Sequence, residues 1–471
     1  MDSRRALFVT LPKHPLRWAP AGLLKKRWHD AARILPDVAS MNRFRLLIVG
    51  GAFVIGAIVA SVYRRSRDRA LGPSNPPAPA LAPVVPLEYV PSAIGSPADD
   101  FIRPWVTNVQ IVDLDQDGLS DVLYCEAQKN SVRWIRQSPR GVFTETVIGE
   151  AIPGPAHVST GDINGTGRLD VLVASMGQIT PTNDRIGAVV VLENLDNRNF
   201  AKRVLASSLS RVSDIRAADL AGHRDGRLDL VVGQFGYNQG ETSWMENQGN
   251  WHFTRRIVNT QSGCIHTPVA DFDGDGRLDI AALISQEWEE VHVLRNEGGG
   301  AFHDAVVWGS TNEDFGSSGL AVADLNRDGK PDLVFTSGDA LDYSGPSERP
   351  WHGVQWLENR GQGFFRFHRI GQLSGAYGPA IADLNGDGAL DVVAVSAFGD
   401  WANPKTVSMM AFLNDGREGF TPVVLAHAPT HLITVAVGDL DGNGVPVIVT
   451  GGFHLFPPWD RMSNITLWRK K

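Results

Sequence analysis

The stretch DFDGDGRLDI, Asp271 to Ile280, places four carboxylates within nine residues, around two glycines and before an apolar residue. Its first, third and fifth side chains carry oxygen, the sixth residue is a glycine that permits a sharp turn, and the ninth is again Asp. Oxygen donors in this number suit Ca²⁺ better than zinc or copper. An EF-hand would need Glu at position 12, where this chain has Ala282, and helices on both sides, where it has strand-like sequence. The stretch therefore predicts a calcium loop between two strands.

The same pattern recurs along the chain. The other well-formed copies are DLDQDGLSD, DINGTGRLD, DLNRDGKPD and DLNGDGALD, which start at Asp113, Asp162, Asp324 and Asp383. Two copies are degenerate: DLAGHRDGRLD from Asp219 has two extra residues, and DLDGNGVPV from Asp439 ends in Val447. The seven starts lie 49 to 59 residues apart, a period typical of repeat architectures.

Each repeat has the same internal order of short, β-branched and aromatic segments. One strand precedes the loop and one follows it, and a third ends in Asn or Gln with a Phe six residues later. Four strands in each of seven units predict an all-β fold, a seven-bladed β-propeller. The seventh unit lacks a fourth strand, and LEYVPSAI (Leu87–Ile94) resembles the missing one. We expect it to pair with the strand around Trp468 and close the ring.

The loops define the predicted ligands of structural Ca²⁺. Four loops offer a complete set, and these candidate ligands are Asp113, Asp115, Asp117, Asp121, Asp271, Asp273, Asp275, Asp279, Asp324, Asn326, Asp328, Asp332, Asp383, Asn385, Asp387 and Asp391. The second loop has Thr166 at its fifth position, so Asp162, Asn164 and Asp170 should bind more weakly. The third and seventh loops are the candidates for lacking a site. Acidic turns without metal are the alternative, but clustered carboxylates repel one another without a cation.

The repeat resembles the FG-GAP and VCBS repeat proteins, which include the propeller of integrin α chains. The resemblance rests on D-x-[DN]-x-D-G-x-x-D and on turns such as VLRNEGGGAF and WLENRGQGFF, and it covers about residues 87–471. It implies a propeller with structural calcium in the loops of one face. Such repeats occur in adhesion proteins, lectins and polysaccharide-cleaving enzymes, so the resemblance leaves the activity open. Of the FG-GAP sequence itself only the fragments FGYNQGE and FGDWANP are present, so we do not infer integrin-like ligand binding from the resemblance.

The opposite face is predicted from the same repeat. The residue five positions before each loop should begin an inner strand and ring the mouth of the central channel. These residues are Asn108, His157, Asp214, His266, Gly319, Gly378 and Thr434. The first four are candidate ligand-binding residues, which could hold a second metal or act as acid and base. The alternative is polar groups that bond one another and trapped water. We assign no catalytic residue, since no nucleophile elbow, phosphate loop or zinc signature is present.

The N-terminal region carries a candidate membrane segment. LLIVGGAFVIGAIVASVY, residues 46–63, is uncharged over 18 residues, the lower length limit for a spanning helix. It is read as a transmembrane anchor or a signal segment, and the lack of a clean A-x-A site after it favours the anchor. Residues 1–45 form a basic tail or an over-extended start, with Met41 as the alternative initiator. Residues 64–86 form a proline-rich linker, and 87–471 the propeller.

Charge and composition limit the possible partners. Residues 1–100 carry a net charge of +7 and residues 101–471 one of −15, and an acidic body argues against a nucleic-acid partner. Two cysteines cannot form a disulfide framework, so buried free thiols are expected. Residues 27–45 and residues 64–83 each hold four Lys or Arg, so charge does not set the orientation. The linker and the calcium loops favour an extracytoplasmic propeller.

Together these features predict a membrane-anchored, extracytoplasmic, calcium-binding module for adhesion or protein interaction. Its partners would be the membrane, through the N-terminal helix, and an unknown protein or carbohydrate ligand. One alternative is a carbohydrate-active enzyme, a lyase or hydrolase, with its site at the channel mouth. The other is a structural scaffold.

Overall fold

The computed structural model describes residues 87–471 except 100, 224 and 342–347. Throughout these residues the chain forms β-strands and no helix, arranged as seven antiparallel sheets. The predicted seven-bladed β-propeller is confirmed. The candidate membrane segment 46–63 lies outside the described residues, and within them no helix is long and apolar enough to cross a membrane.

Blades 1 to 4 follow one another along the chain. Blade 1 contains β2 (Val106–Val112), β3 (Asp121–Glu126), β4 (Ser131–Gln137) and β5 (Phe143–Gly149). Blade 2 contains β6 (Pro155–Gly161), β7 (Asp170–Ser175), β8 (Gly187–Asn194) and β9 (Phe200–Leu209). Blade 3 contains β10 (Arg211–Ala218), β11 (Asp229–Phe235), β12 (Glu241–Asn247) and β13 (Phe253–Asn259). Blade 4 has a divided inner strand and contains β14 (Cys264–His266), β15 (Val269–Ala270), β16 (Asp279–Ile284), β17 (Glu290–Gly298) and β18 (Ala301–Gly309).

Blades 5 to 7 continue the same order. Blade 5 contains β19 (Ser317–Ala323), β20 (Asp332–Ser337), β21 (Gly353–Asn359) and β22 (Phe365–Gln372). Blade 6 contains β23 (Ala376–Ala382), β24 (Asp391–Ser396), β25 (Met409–Asn414) and β26 (Phe420–Ala426). Blade 7 contains β27 (Leu432–Gly438), β28 (Val447–Gly452), β29 (Ile465–Lys470) and, as its outermost strand, β1 (Tyr89–Ile94).

The two ends of the described chain meet in blade 7. β1 pairs antiparallel with β29, from Tyr89 opposite Lys470 to Ile94 opposite Ile465, and Pro91 lies opposite Trp468. The predicted closure by Leu87–Ile94 is therefore present. Pro91 lacks an N–H, which an outermost strand tolerates because one side of it faces solvent.

The core lies between the blades. The second strand of each blade is buried along its whole length or nearly so, because it has a strand on either side and a neighbouring blade against each face. This explains its continuous apolar sequence, as in DVLVAS. Outer strands such as β13 expose most of their residues to solvent. Cys125 and Cys264 are buried free thiols, as predicted.

A side-chain contact that we call the interblade latch joins blades 1, 3, 4, 5 and 6 to the preceding blade. In blade 4, Nδ2 of Asn296 on β17 donates to the carbonyl of Leu278 at 3.2 Å and to that of Leu220 in blade 3 at 2.8 Å. Its Oδ1 accepts the N–H of Gly298 at 3.0 Å. Asn247, Asn359 and Asn414 bond the preceding blade in the same way. In blade 1, Gln137 reaches the carbonyl of Leu440 in blade 7 at 2.8 Å, across the ring closure.

The latch can be tested with Asn359→Ala. This change removes the bonds to the carbonyls of Phe272 and Pro331 and the bond from Gly361, and leaves buried carbonyls without a donor. We expect the free energy of unfolding, measured by urea denaturation, to fall by about 2–4 kcal/mol. Asn238→Ala, at an exposed position, is the control and should change it by less than about 0.5 kcal/mol. Equal effects from the two variants would show that the latch is not stabilising.

Candidate functional site

The loops between the first and second strands are held by their first Asp. In blade 4, Asp271 accepts the N–H groups of Gly274 at 2.7 Å, Asp275 at 3.1 Å and Gly276 at 2.8 Å. Gly276 has a φ of +87°, which a residue with a side chain rarely adopts. The first Asp of the other loops accepts the corresponding N–H groups of its own turn, as Asp383 does. The backbone thus folds around one carboxylate.

The ninth Asp of each well-formed loop is buried and fixes the base of the loop. Asp279 accepts the N–H of Phe272 at 2.9 Å and that of Asn296 at 2.7 Å, and it is fully buried. Burial raises its pKa to about 6, and the charges of Asp273 and Asp275 add to the rise. Burial likewise raises the pKa of the ninth Asp to about 6 in four further loops, at Asp121, Asp170, Asp332 and Asp391. Burial thus disfavours the charged form of the ninth Asp in each of these loops, and a nearby cation would favour that form.

Two loops bring three carboxylates to one point. Oxygens of Asp113, Asp115 and Asp121 lie within 4.8 Å of one another, and so do those of Asp271, Asp273 and Asp279. Oδ1 of Asp115 is buried and has no hydrogen-bond partner. A buried, unpartnered carboxylate oxygen beside two further carboxylates fits a bound cation, because only a cation would satisfy all three at once. The residues present therefore fit an oxygen-liganded metal ion such as Ca²⁺.

The sequence predicts that the fifth loop residue is also a calcium ligand, but its side chain is not among the carboxylates that converge in the structure. Its carboxylate pairs with a nearby basic side chain in three loops: Asp117 lies 2.7 Å from Arg136, Asp275 contacts Arg277, and Asp328 lies 2.6 Å from Lys330. In the described structure the converging groups come from positions one, three and nine.

The two degenerate loops supply basic groups of their own. In loop 3, Nε2 of His223 lies 3.1 Å from the ninth Asp, Asp229. In loop 7, Arg469 forms a two-pronged contact with Asp441, at 2.8 and 2.9 Å. That these two loops lack a calcium site stays a prediction. A third acid-rich group that the sequence did not reveal joins Glu358, His368 and Glu418, although Glu358 already contacts Arg360.

The other ends of the inner strands surround a cavity of about 490 Å³. Six of the seven predicted channel residues line it: Asn108, His157, His266, Gly319, Gly378 and Thr434. A Cβ on Gly319 would lie 2.8 Å from the carbonyl oxygen of Gly378, so glycine here permits two inner strands to approach closely. Apolar lining comes from Phe235, Phe398 and Phe453.

A β-bulge precedes most of these residues. The register of the inner strand shifts immediately before Asn108, His157, Asp214, His266, Gly319 and Thr434. A bulge turns the following side chain away from the regular alternation of the strand. The repeat therefore places one re-aimed residue per blade at this end of the channel, in six of the seven blades.

Asp214 is the seventh predicted channel residue and lies behind the cavity surface, fully buried. Its carboxylate lies 2.9 Å from Nδ1 of His157, 3.8 Å from Nδ1 of His266 and 3.1 Å from Nε of Arg216, and it accepts the N–H of Thr267 at 2.7 Å. Burial opposes its ionisation, but Arg216 and the histidines outweigh burial and hold the pKa of Asp214 well below its usual range. Burial lowers the pKa of His157 to about 4.

Arg216 was not singled out from the sequence. It lies on β10 two residues after Asp214, so the two-residue repeat of a strand places it on the same face, and it lines the cavity. The two-residue spacing between Asp214 and Arg216 was the sequence feature from which this position could have been predicted. Of the tryptophans in the long loops, Trp401 is buried against His431, Trp351 donates to a backbone carbonyl, and Trp459 is stacked under Arg103 at 3.3 Å.

Comparison with protein families agrees with this geometry. Residues 113–173, 224–282, 271–335 and 343–394 match the family described as FG-GAP-like repeat. The chain is an FG-GAP repeat protein. The matched segments contain five of the seven loops in full and part of the degenerate loop 3. A comparison with curated proteins finds no significant match.

Solved structures include two that are similar in chain path to this FG-GAP repeat protein. One is "Crystal structure of BBS1N in complex with ARL6DN, soaked with mercury", at 10% identity and a TM-score of 0.49, covering 82% of this chain and 98% of that chain. The other is the same complex soaked with lead, at 10% identity and a TM-score of 0.48, covering 81% and 96%.

The low pKa of His157 predicts a dependence of stability on pH. Between about pH 6.5 and pH 4 the unfolded chain binds a proton at His157 that the folded chain does not, so stability falls as the pH decreases through this window. The contribution of this one group is about 3 kcal/mol at most. Urea denaturation at pH 7 to 4 measures how the free energy of unfolding changes with pH. His157→Asn should reduce this slope by the amount that corresponds to about one proton.

The exposed His252 provides the control, because His252→Asn should leave the slope unchanged. His352, His431 and His454 are also buried, and burial lowers their pKa to about 4, 3 and 4, so they contribute to the wild-type slope with the same sign as His157. The five ninth Asp residues, whose pKa burial raises to about 6, contribute with the opposite sign, so the test is the difference in slope between the variant and the wild type. An unchanged slope in His157→Asn would contradict the assignment of a neutral, buried imidazole.

Proposed function

We propose that this FG-GAP propeller is a calcium-stabilised binding module for a protein partner. It is held at the extracytoplasmic side of a membrane by residues 46–63. The observation that carries the proposal is the division of the propeller into two ends. Oxygen-rich loops lie at one end of the inner strands, and a 490 Å³ cavity with re-aimed polar residues lies at the other.

The calcium part of the proposal is supported by the donor set. Asp113, Asp115 and Asp121 offer carboxylate oxygens at one point, and Oδ1 of Asp115 has no other partner. When bound, the ion would supply positive charge that neutralises these carboxylates and cross-links the start and end of the loop. The chain's own part is to hold the oxygens in place, through the N–H groups that the first and ninth Asp accept.

The binding part is supported by the cavity. It combines phenylalanine faces with a few polar groups, the usual composition of a ligand site. Arg216 is 31% exposed, and its Nε is anchored by the buried Asp214, so its position is fixed before any ligand arrives. A fixed guanidinium beside apolar surface favours a peptide segment that carries a carboxylate and an apolar side chain.

The same groups favour binding over the carbohydrate-cleaving alternative. An imidazole with a pKa of about 4 is a weak proton acceptor, so His157 is poorly suited to general base catalysis near neutral pH. Trp401, which could have stacked on a sugar, is buried. The anchor and the extracytoplasmic location rest on the sequence of residues 46–86.

Calcium binding predicts a metal count and a change in stability. Native mass spectrometry of the full chain should find about four or five Ca²⁺ ions, and chelation with EDTA should lower the melting temperature by about 10 °C or more. Asp271→Asn should reduce the count by one. The matched control is Asp225→Asn, an exposed acidic residue in the degenerate loop 3, which should not change it. A wild-type chain without bound Ca²⁺ would refute the calcium part.

The cavity predicts peptide binding that depends on Arg216. A phage-displayed library of random peptides would be selected on the wild-type protein and then tested on Arg216→Ala. We expect the selected peptides to be acidic and apolar and to lose at least about tenfold in affinity, or about 1.4 kcal/mol. Arg256→Ala, an arginine on the outer strand β13, should leave their affinity unchanged. Peptides that bind all three proteins equally would place the interaction outside the cavity.

A further inference from the structure

In blades 1, 2, 5 and 7 the residue immediately before the latch position, which is the last residue of the third strand, contacts the third side chain of the loop in the same blade. The two positions vary together along the chain. Where the loop has Asp at its third position, the strand residue is Arg, and where the loop has Asn, the strand residue is Glu in two of three blades. The pairs are Asp115/Arg136, Asn164/Glu193, Asp273/Arg295, Asn326/Glu358, Asn385/Leu413 and Asp441/Arg469.

Blade 1 shows what the Asp and Arg pairing does. Nε of Arg136 donates to Oδ2 of Asp115, and Arg198 of blade 2 lies 3.5 Å from the same oxygen. The other oxygen, Oδ1, is buried and has no partner. Because a carboxylate has two oxygens, the arginine fixes the side chain through one and leaves the second for the centre of the loop.

Blades 2 and 5 reach the same outcome with an amide. Nδ2 of Asn164 donates to Oε1 of Glu193, and Nδ2 of Asn326 donates to Oε1 of Glu358, both at 3.3 Å. An amide has one acceptor, so a carboxylate that takes its N–H turns its oxygen inwards. Oδ1 of Asn326 indeed faces the loop, where it accepts the N–H of Asp328 at 3.1 Å.

The remaining blades differ from this arrangement. In blade 4, Nε of Arg295 is buried without a hydrogen-bond partner, so Arg295 does not hold Asp273 as Arg136 holds Asp115. In blade 6, Leu413 cannot accept a hydrogen bond, and Asp387 within the loop takes the N–H of Asn385 at 2.8 Å. In blade 7, Arg469 engages both oxygens of Asp441, so no oxygen of the third side chain is left for a cation. That loop also has Val447 at its ninth position.

We propose that the residue before the latch is a positioning residue for the metal loop. It holds the third side chain so that one oxygen, and only one, faces the cation. The inference rests on the proposed calcium binding. It predicts that the identity of the strand residue must match that of the third loop residue, although the strand residue itself does not touch the ion.

The test exchanges the pairing of blade 5 for that of blade 1. Glu358→Arg alone should draw the single oxygen of Asn326 away from the loop, and the Ca²⁺ count by native mass spectrometry should fall by one. Adding Asn326→Asp should restore the count, because Asp offers a second oxygen. Glu358→Gln, which keeps an acceptor for the amide, should retain the full count.

The matched control is Glu246→Arg, the same substitution at the same register of blade 3, where the third loop residue is Ala221. It should not change the count. Since Glu358 also lies near His368 and Glu418, a loss of metal from that group would not be restored by Asn326→Asp, so the double variant separates the two origins.

The outcomes distinguish this inference from the proposed function. A wild-type chain without Ca²⁺ overturns both. Normal Ca²⁺ binding by the wild type together with an unchanged count in Glu358→Arg, or no recovery in the double variant, overturns the inference alone.

Circular dichroism would first verify folding of each variant. If Glu358→Arg does not fold, the reciprocal exchange in blade 1 applies the same criterion. Arg136→Glu should remove one Ca²⁺ ion, and Asp115→Asn added to it should restore the ion. An unchanged count in folded Arg136→Glu, or no recovery on adding Asp115→Asn, overturns the inference.

Discussion

The ninth Asp of the loop is the residue on which the rest of this propeller depends. Its carboxylate is buried and charged, and burying such a group without hydrogen-bond partners would cost free energy. The backbone supplies them: Asp279 accepts one N–H from its own loop and one from Asn296 at the end of the third strand. The same asparagine then bonds the preceding blade. One carboxylate thus connects the loop, the third strand and the neighbouring blade, and the arrangement is present in blades 1, 3, 4, 5 and 6.

This connection explains why the two ends of the propeller differ. The ends of the inner strands at the loops are fixed by carboxylates and latches, so their sequence varies little from blade to blade. The opposite ends carry a bulge immediately before the channel residue in six of the seven blades, and five residue types occur at that position, from Asn108 to Thr434. Recognition can vary at that end without disturbing the groups that hold the blades together.

The loops also show how the fold manages concentrated negative charge. Where the sequence departs from the full motif, the chain provides a basic group, as with His223 in loop 3 and Arg469 in loop 7. In loops 1 and 4, positions one, three and nine converge and burial raises the pKa of the ninth Asp. The complete loops are therefore the ones in which a cation would be most stabilising.

The sequence by itself determined the repeat, the number of blades, the place of the closing strand β1 and the two faces, because a two-residue strand period and a fixed loop motif are local properties. It also named six of the residues that line the cavity. It did not reveal that Asp214 lies behind the cavity, that Arg216 lines it, or that the fifth loop residues pair with Arg136, Arg277 and Lys330. Those outcomes depend on bulges and on side chains from other strands and blades, and only the tertiary structure brings such groups together.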